Sequence, residues 1–285
     1  MRTTGLAAPL AALVVLVGYS AGGCSTAPGR PEVAVGAAAD ADSALLAAIY
    51  VAALRSYGFA ARTEAVADPI SGLDSGAVTV VPVFTGRTLR RLQPDSSAMS
   101  DTQVYRAMVG ALPEGVAAGD YTTAADDKPM LLVTASTVTA WGGADLVELP
   151  RHCGGTVAGM VSGFAPPPAV GSCRLPPARE SPSAAALFSE LRSGRLTAAW
   201  SSTAAPAVPA DLVALADGKP PLIRAENVVP LYRRNALSDR QLLAINEVAG
   251  VLDTAALADL RGQVSGGADP QAVAGAWLAD HPLGR

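Results

Sequence analysis

Residues 227–281 read NVVPLYRRNALSDRQLLAINEVAGVLDTAALADLRGQVSGGADPQAVAGAWLADH. The run from Asn227 to Tyr232 is β-branched and apolar, which predicts a strand. Ser238-Asp239-Arg240-Gln241 is a capping box. The serine hydroxyl takes an amide proton three residues on, and the glutamine reaches back, so a helix starts there. Asp253 or Thr254 opens a second helix. Asp269-Pro270 sets a cap and a first-turn proline before a third, which runs to Ala279. A strand followed by three punctuated helices closes the chain.

Working outward, the first third has the same character. Pro31 to Gly36 reads as a buried strand. Asp42 or Ser43 caps a helix with an apolar stripe of Leu45, Leu46, Ile49, Ala53 and Tyr57, and Gly58 supplies a left-handed stop. Phe59 to Val66 is a strand, Ile70 to Ser75 a short helix, and Ala77 to Val83 a strand that runs into Phe84-Thr85-Gly86. This β-α-β-α-β order predicts a parallel sheet with helices on both faces. Ser100-Asp101-Thr102-Gln103 is another capping box, opening a helix to about Leu112. In the middle, Met130 to Thr134 is a strand and Ser136 to Trp141 a short helix. A helix from Ser181-Pro182 through Leu191 follows, then strands at Arg195 to Ser201 and Leu212 to Ala216.

The chain has 285 residues, of which 50% are hydrophobic and 16% charged, so it can bury a core and is not a disordered polyelectrolyte. A formal charge of -4 argues against a nucleic-acid partner. His152, His281 and three cysteines leave little room for a metal site, and neither a metal nor a cofactor is expected. The close acidic pairs, Asp40/Asp42 and Asp126-Asp127, read as caps or solvated turns. No nucleophile has a base at a suggestive spacing, so an enzyme is not expected.

The first residues read as an address. Arg2 precedes an apolar stretch from Leu6 to Val17, of signal-peptide length. Ala21-Gly22-Gly23-Cys24 follows, similar to a bacterial lipobox except that Ala21 stands where Leu is usual. The expectation is a signal peptide at 1–23, a lipidated Cys24, a tether at 24–30, and a body held at the outer face of the membrane. The alternative is an ordinary secretory signal with a coincidental cysteine. Cys153 and Cys173 then remain as an even pair in a Gly/Pro-rich loop, and outside the cytosol such a pair oxidises to a disulfide. Two buried thiols, or a metal site with His152, are the other readings.

Several segments together resemble the substrate-binding lipoproteins of ABC importers for glycine betaine, choline and related osmoprotectants. Asn227-Val228-Val229-Pro230-Leu231 resembles that family's Asn-hydrophobic-hydrophobic-Pro strand. The ending Asp269, Pro270, Val273, Ala274, Trp277, Leu278 resembles its Asp-Pro-x-x-Val-Ala-x-x-Trp-Leu close. Val81-Pro82-Val83-Phe84-Thr85-Gly86 resembles Tyr-Pro-Glu-Tyr-Thr-Gly, and Trp200-Ser201-Ser202-Thr203 an aromatic-Thr-Thr-Asp segment. The resemblance implies an α/β, two-lobed, type II periplasmic-binding-protein-like fold with a ligand cleft between the lobes. Lobe one is expected at 31–130 plus 205–285 and lobe two at 131–204. The crossings then fall near Met130–Ala135 and Trp200–Ala204. Implied partners are a small zwitterion or quaternary amine, an ABC permease with its ATPase, and the membrane through the lipid anchor.

A quaternary ammonium cannot donate a hydrogen bond, so its recognition rests on aromatic faces. The resemblance carries two cage walls onto Phe84 and Trp200, with Thr85 and Ser201 beside them. Elsewhere the chain departs. Pro129 and Glu226 fall where aromatics are expected, Ala37-Ala38-Ala39-Asp40 replaces a Ser-Lys-Asn-Phe-type opening, and the Cys153–Cys173 segment stands in place of a lobe-two arginine. Arg87 follows Thr85-Gly86 where a small hydroxyl residue is usual, either as a carboxylate anchor or to repel a cation. Tyr105 and Tyr121 are candidates for replacing lost walls. Two readings follow. One is a receptor for a compatible solute such as glycine betaine or a related zwitterion. The other is a degenerate relative serving as an accessory lipoprotein, with its cleft filled by side chains.

Overall fold

The computed structural model describes residues 32–284. The expected signal, Cys24 anchor and tether lie outside the described residues.

Two five-stranded sheets form, and they share one order. In the first, β1 (Val33–Ala37) lies between β2 (Ala61–Ala65) and β3 (Val80–Phe84), all parallel. β10 (Val228–Arg233) runs antiparallel to β3 and carries β4 (Val116–Ala118) on its far side. In the second, β6 (Ala158–Val161) lies between β7 (Arg179–Ser181) and β8 (Ala198–Ser202), again parallel. β5 (Pro129–Thr134) runs antiparallel to β8 and carries β9 (Leu212–Ala214). The sheets are therefore mixed rather than parallel throughout. β5 and β10 each follow a crossing between the lobes, and each inserts antiparallel beside a parallel trio.

The helices are α1 (Ala41–Ser56), α2 (Pro69–Ser75), α3 (Thr85–Leu92), α4 (Asp101–Ala111), α5 (Ala135–Trp141), α6 (Leu149–His152), α7 (Ala184–Arg192), α8 (Asp239–Asn246), α9 (Val248–Val251), α10 (Thr254–Ser265) and α11 (Pro270–Asp280). Both capping boxes form, at Ser100 and Ser238. The α1 cap is Asp40, which accepts from the Ser43 N–H at 2.8 Å, rather than Asp42 or Ser43. That leaves the Asp42 carboxylate for another partner.

Strand alternation places the core. Along β5, Leu131 and Val133 pack on one face of the second sheet with Trp200 and Leu215, while Leu132 packs on the other with Leu187 and Leu191. In the first sheet Val80 and Val228 join α1 and Trp277, whereas Val81, Val229 and Leu231 join Leu89 and Met108. Successive side chains point to opposite faces, so each sheet is covered on both sides. On α1, Leu45, Leu46, Ile49 and Ala53 of the apolar stripe are buried, and Tyr50 beside them is fully buried.

The lobe boundaries differ from expectation at one crossing. β9 pairs with β5, and Leu215 and Ile223 pack in the second lobe's core. The chain thus returns finally at about 224–227, not at 200–204, and 205–223 does not belong wholly to lobe one. Thr203 and Ala204 still touch the first lobe, since Ala204 is part of its core. Three strands of chain are tied where the lobes meet. The Thr203 Oγ1 accepts from the Lys128 N–H at 3.0 Å, the Asp127 N–H donates to the Glu226 carbonyl at 2.8 Å, and Lys128 Nζ meets Asp217 at 3.0 Å.

Cys153 and Cys173 form a disulfide, with Cα atoms 5.6 Å apart. Those two thiols are therefore not a metal pair with His152, whose ring instead stacks on Trp141 at 4.9 Å.

Candidate functional site

A cleft of about 630 Å³ opens between the two lobes. Its lobe-two wall is mostly apolar, with Phe164, Leu187, Phe188 and Trp200, plus the hydroxyls of Ser162, Ser201 and Ser202. Its lobe-one wall carries Asp42, Arg87, Arg90, Asp127, Glu226 and Arg261.

The charged wall is built around Asp127, only 2% exposed. Arg261 reaches it from α10, with Nη1 to Oδ1 at 2.5 Å and Nη2 to Oδ2 at 3.0 Å. Arg261 also donates to Asp42 at 2.9 Å and to the Ala204 carbonyl at 3.1 Å. Arg87 reaches Asp127 from α3. Burial opposes ionisation of Asp127, but the Arg261 hydrogen bonds and the Arg261 and Arg87 charges outweigh it and hold the carboxyl below the usual range. Arg261 sits at a buried position of α10 beside Leu257 and Leu260, which is tolerable only because it is paired.

Glu226 is buried on the N-terminus of α3. Its Oε2 accepts the Arg87 N–H at 2.8 Å, and Arg90 Nη2 stands 3.4 Å from Oε1. The N-cap residue of α3, Phe84, gives no side-chain cap, so Glu226 supplies it from across the sequence. Gly86 makes this possible. A Cβ there would lie 2.4 Å from the Ala225 carbonyl oxygen and 2.8 Å from the Glu226 carboxyl carbon.

The residues expected to meet a ligand divide. Arg87, Trp200 and Ser201 line the cleft, Trp200 as a core residue of the second lobe that leaves only 3% of its surface exposed. Phe84 does not. Its ring lies beneath the Arg87 guanidinium, 4.4 Å from centroid to Cζ, and Arg261 Cζ is 5.7 Å away. A cation of the chain itself covers the aromatic face. Thr85 is fully buried, and its hydroxyl oxygen accepts the Asn227 N–H at 3.0 Å, tying α3 to β10 instead of facing a solute. Tyr105 and Tyr121 replace no wall. Their rings, half-buried, pack together at 4.6 Å against the first lobe's core, and the Tyr105 hydroxyl donates to the Gly119 carbonyl at 2.9 Å.

Sequence reasoning missed Phe164, Phe188, Arg90, Asp127 and Arg261. Asp126-Asp127 is not a solvated turn: Asp127 is the hub of the wall. An arginine on the apolar stripe of α10 was the available signal. Two of the named departures, the positions where an aromatic is expected, Pro129 and Glu226, both line the cleft.

Residues 173–280 match the family model described as the substrate-binding domain of ABC-type glycine betaine transport systems. No curated protein sequence matches the chain. Among solved structures, apo YehZ from Escherichia coli is similar at 18% identity and a TM-score of 0.65, covering 88% of this chain and 99% of that one. The structure of a glycine betaine/carnitine/choline ABC transporter is similar at 15% identity and a TM-score of 0.68, covering 87% and 98%. The glycine betaine/L-proline-binding protein ProX from Borrelia burgdorferi gives 11% identity and a TM-score of 0.54, covering 88% and 93%. These likenesses establish the two-lobed type II binding-protein fold. Together with the family match, they bear out the resemblance read from the sequence.

Proposed function

We propose that the chain is the extracytoplasmic solute-binding component of an ABC importer, lipid-anchored through Cys24, delivering a compatible solute such as glycine betaine or a related zwitterion to its permease. The observation that carries this reading is the cleft. Its volume of about 630 Å³ suits a small solute. It sets an aromatic, Trp200, on one wall against guanidinium groups, Arg87 and Arg90, on the other. A carboxylate fits the arginines and an alkylated ammonium fits the aromatic wall. The covered face of Phe84 favours solutes bearing a carboxylate over choline, which has only the cationic end. An accessory lipoprotein with a side-chain-filled cleft fits an open cleft of this size poorly.

The test is thermal unfolding in the presence of betaines, choline, carnitine, ectoine and proline. A bound solute at 100 times its Kd adds about 2.7 kcal/mol. The expected result is stabilisation by a carboxylate-bearing solute, weakened by Trp200→Ala. No shift with any of these compounds would overturn the reading.

A further inference from the structure

Two buried carboxylates of the cleft wall have opposite electrostatic fates. Asp127 faces two arginines in direct contact and stays ionised. Glu226 is 1% exposed and has weaker compensation. It takes one backbone N–H from Arg87 and a long contact from Arg90. The charged groups around it are Arg87 and Arg90 on α3, Asp127 on the first crossing, and Arg224 on its own segment. Burial dominates and lifts its carboxyl to about 7; the two arginines and the Arg87 N–H pull down, and Asp127 pushes up.

Arg87 and Arg90 are also the exposed cations of this wall, with side chains 48% and 38% exposed against 8% for Arg261; the Asp42 carboxylate, 46% exposed, lies on the Arg261 side. A solute carboxylate seated there would share both arginines with Glu226. Two carboxylates on the same pair of guanidinium groups repel one another, the more strongly because the Glu226 carboxylate is cut off from water.

We infer that capture of a carboxylate-bearing solute is coupled to uptake of one proton by Glu226, which makes Glu226 the residue that sets the cleft's preference for an anionic head group. The proton comes from solvent onto a carboxylate oxygen of Glu226 and the solute carboxylate stays ionised, so the net charge of wall plus solute rises by one while the Arg87–Arg90 pair still faces a single carboxylate charge besides Asp127. Protonated Glu226 still accepts the Arg87 N–H through its carbonyl oxygen, so α3 keeps its cap. The inference rests on the solute-binding reading above and deepens it.

Calorimetric titration with glycine betaine tests it, because both charges of that probe are constant between pH 6 and 8. Binding restricted to the protonated form, with a midpoint at about 7, makes the apparent Kd about tenfold weaker at pH 8 than at pH 6. Repeating the titration at pH 8, where free Glu226 is mostly ionised, in two buffers of different ionisation enthalpy counts the proton directly, and this needs no variant. Glu226→Gln should bind with the low-pH affinity throughout, with circular dichroism confirming its fold. A flat wild-type profile without proton uptake would overturn the coupling alone. Tighter binding at high pH would also overturn it, by placing the solute's cation against Glu226. Failure of glycine betaine to bind at any pH would overturn the coupling, and the screen of other solutes then decides separately whether the solute-binding reading stands.

Discussion

The two walls of the cleft are held in place by different means. On the lobe-one side, charged groups are gathered from α1, α3, α10 and two crossing segments, and they brace one another. Three arginines, Arg87, Arg90 and Arg261, stand against three acids, Asp42, Asp127 and Glu226. The wall is therefore a set of dipoles rather than a net charge, and its guanidinium groups keep edges free for a solute. On the lobe-two side, Phe164, Phe188 and Trp200 are placed by ordinary core packing and by the disulfide. β6 and the cleft-lining run from Val161 to Ala165 lie inside the Cys153–Cys173 loop. One wall supplies orientation by charge. The other supplies dry surface, against which each charge interaction is stronger than in open water.

Unpairing the hub of the charged wall, Asp127, should have the largest effect. Arg261→Ala leaves Asp127 buried with only Arg87, and breaking a buried pair from one side costs about 3–5 kcal/mol. Urea unfolding at neutral pH should show that loss. The sign with pH follows from the lowered carboxyl of Asp127. In the wild type its contribution is present above the unfolded pKa and is lost as pH falls through the folded one. The deficit of the variant should therefore shrink on acidification, once Asp127 is protonated and no longer an orphan charge. A deficit independent of pH would mean that Arg261 acts by packing alone.

The lobe-two wall should respond to a different insult. Replacing Cys153 and Cys173 by serine should cost about 3 kcal/mol by the chain-entropy model. Hydrogen exchange should rise across β6 and the Val161–Ala165 run, while α3 and α10 keep their protection. Equal loosening of both lobes would show that the walls are not independently braced.

What the sequence disclosed divides along the same line. Apolar periodicity, capping boxes and glycine stops are local, so β1, α1, β3, β5, α8 and α11 are legible. The lobe-two aromatic Trp200 is legible too, through a motif. The charged wall is not, because its contacts join residues far apart: Arg261 and Asp127 are 134 residues apart, and the Arg87 N–H and Glu226 are 139 apart. Nothing near Asp127 says that it is buried, and acids in loops are usually solvated. α3 escapes notice for the same reason. Thr85 to Leu92 has a polar, arginine-rich composition, and its cap comes from Glu226 rather than from the residue before it. The family resemblance helped most where it failed, since Pro129 and Glu226 break the expected pattern at positions that do face the cleft.

The smallest expected effect separates recognition from architecture within the charged wall itself. Arg87 is half exposed, and Asp127 retains Arg261 if Arg87 is removed, so Arg87→Ala should change stability little. Its guanidinium lines the cleft and also covers Phe84, while the same side chain borders a second groove along Pro82, Val83 and Phe84. Truncation removes a charged donor for a carboxylate and uncovers an aromatic face for a cation. Glycine betaine should then bind about tenfold more weakly, in line with about 1.5 kcal/mol for a charge-assisted hydrogen bond. Choline should gain affinity, because a face near a desolvated cleft contributes about 0.5–2 kcal/mol to a cation. Titration of both compounds against wild type and variant reads the two changes separately. If betaine weakens and choline does not improve, Arg87 anchors a carboxylate but does not guard Phe84. If neither changes, the solute does not touch the charged wall, and the division of labour between the walls is wrong.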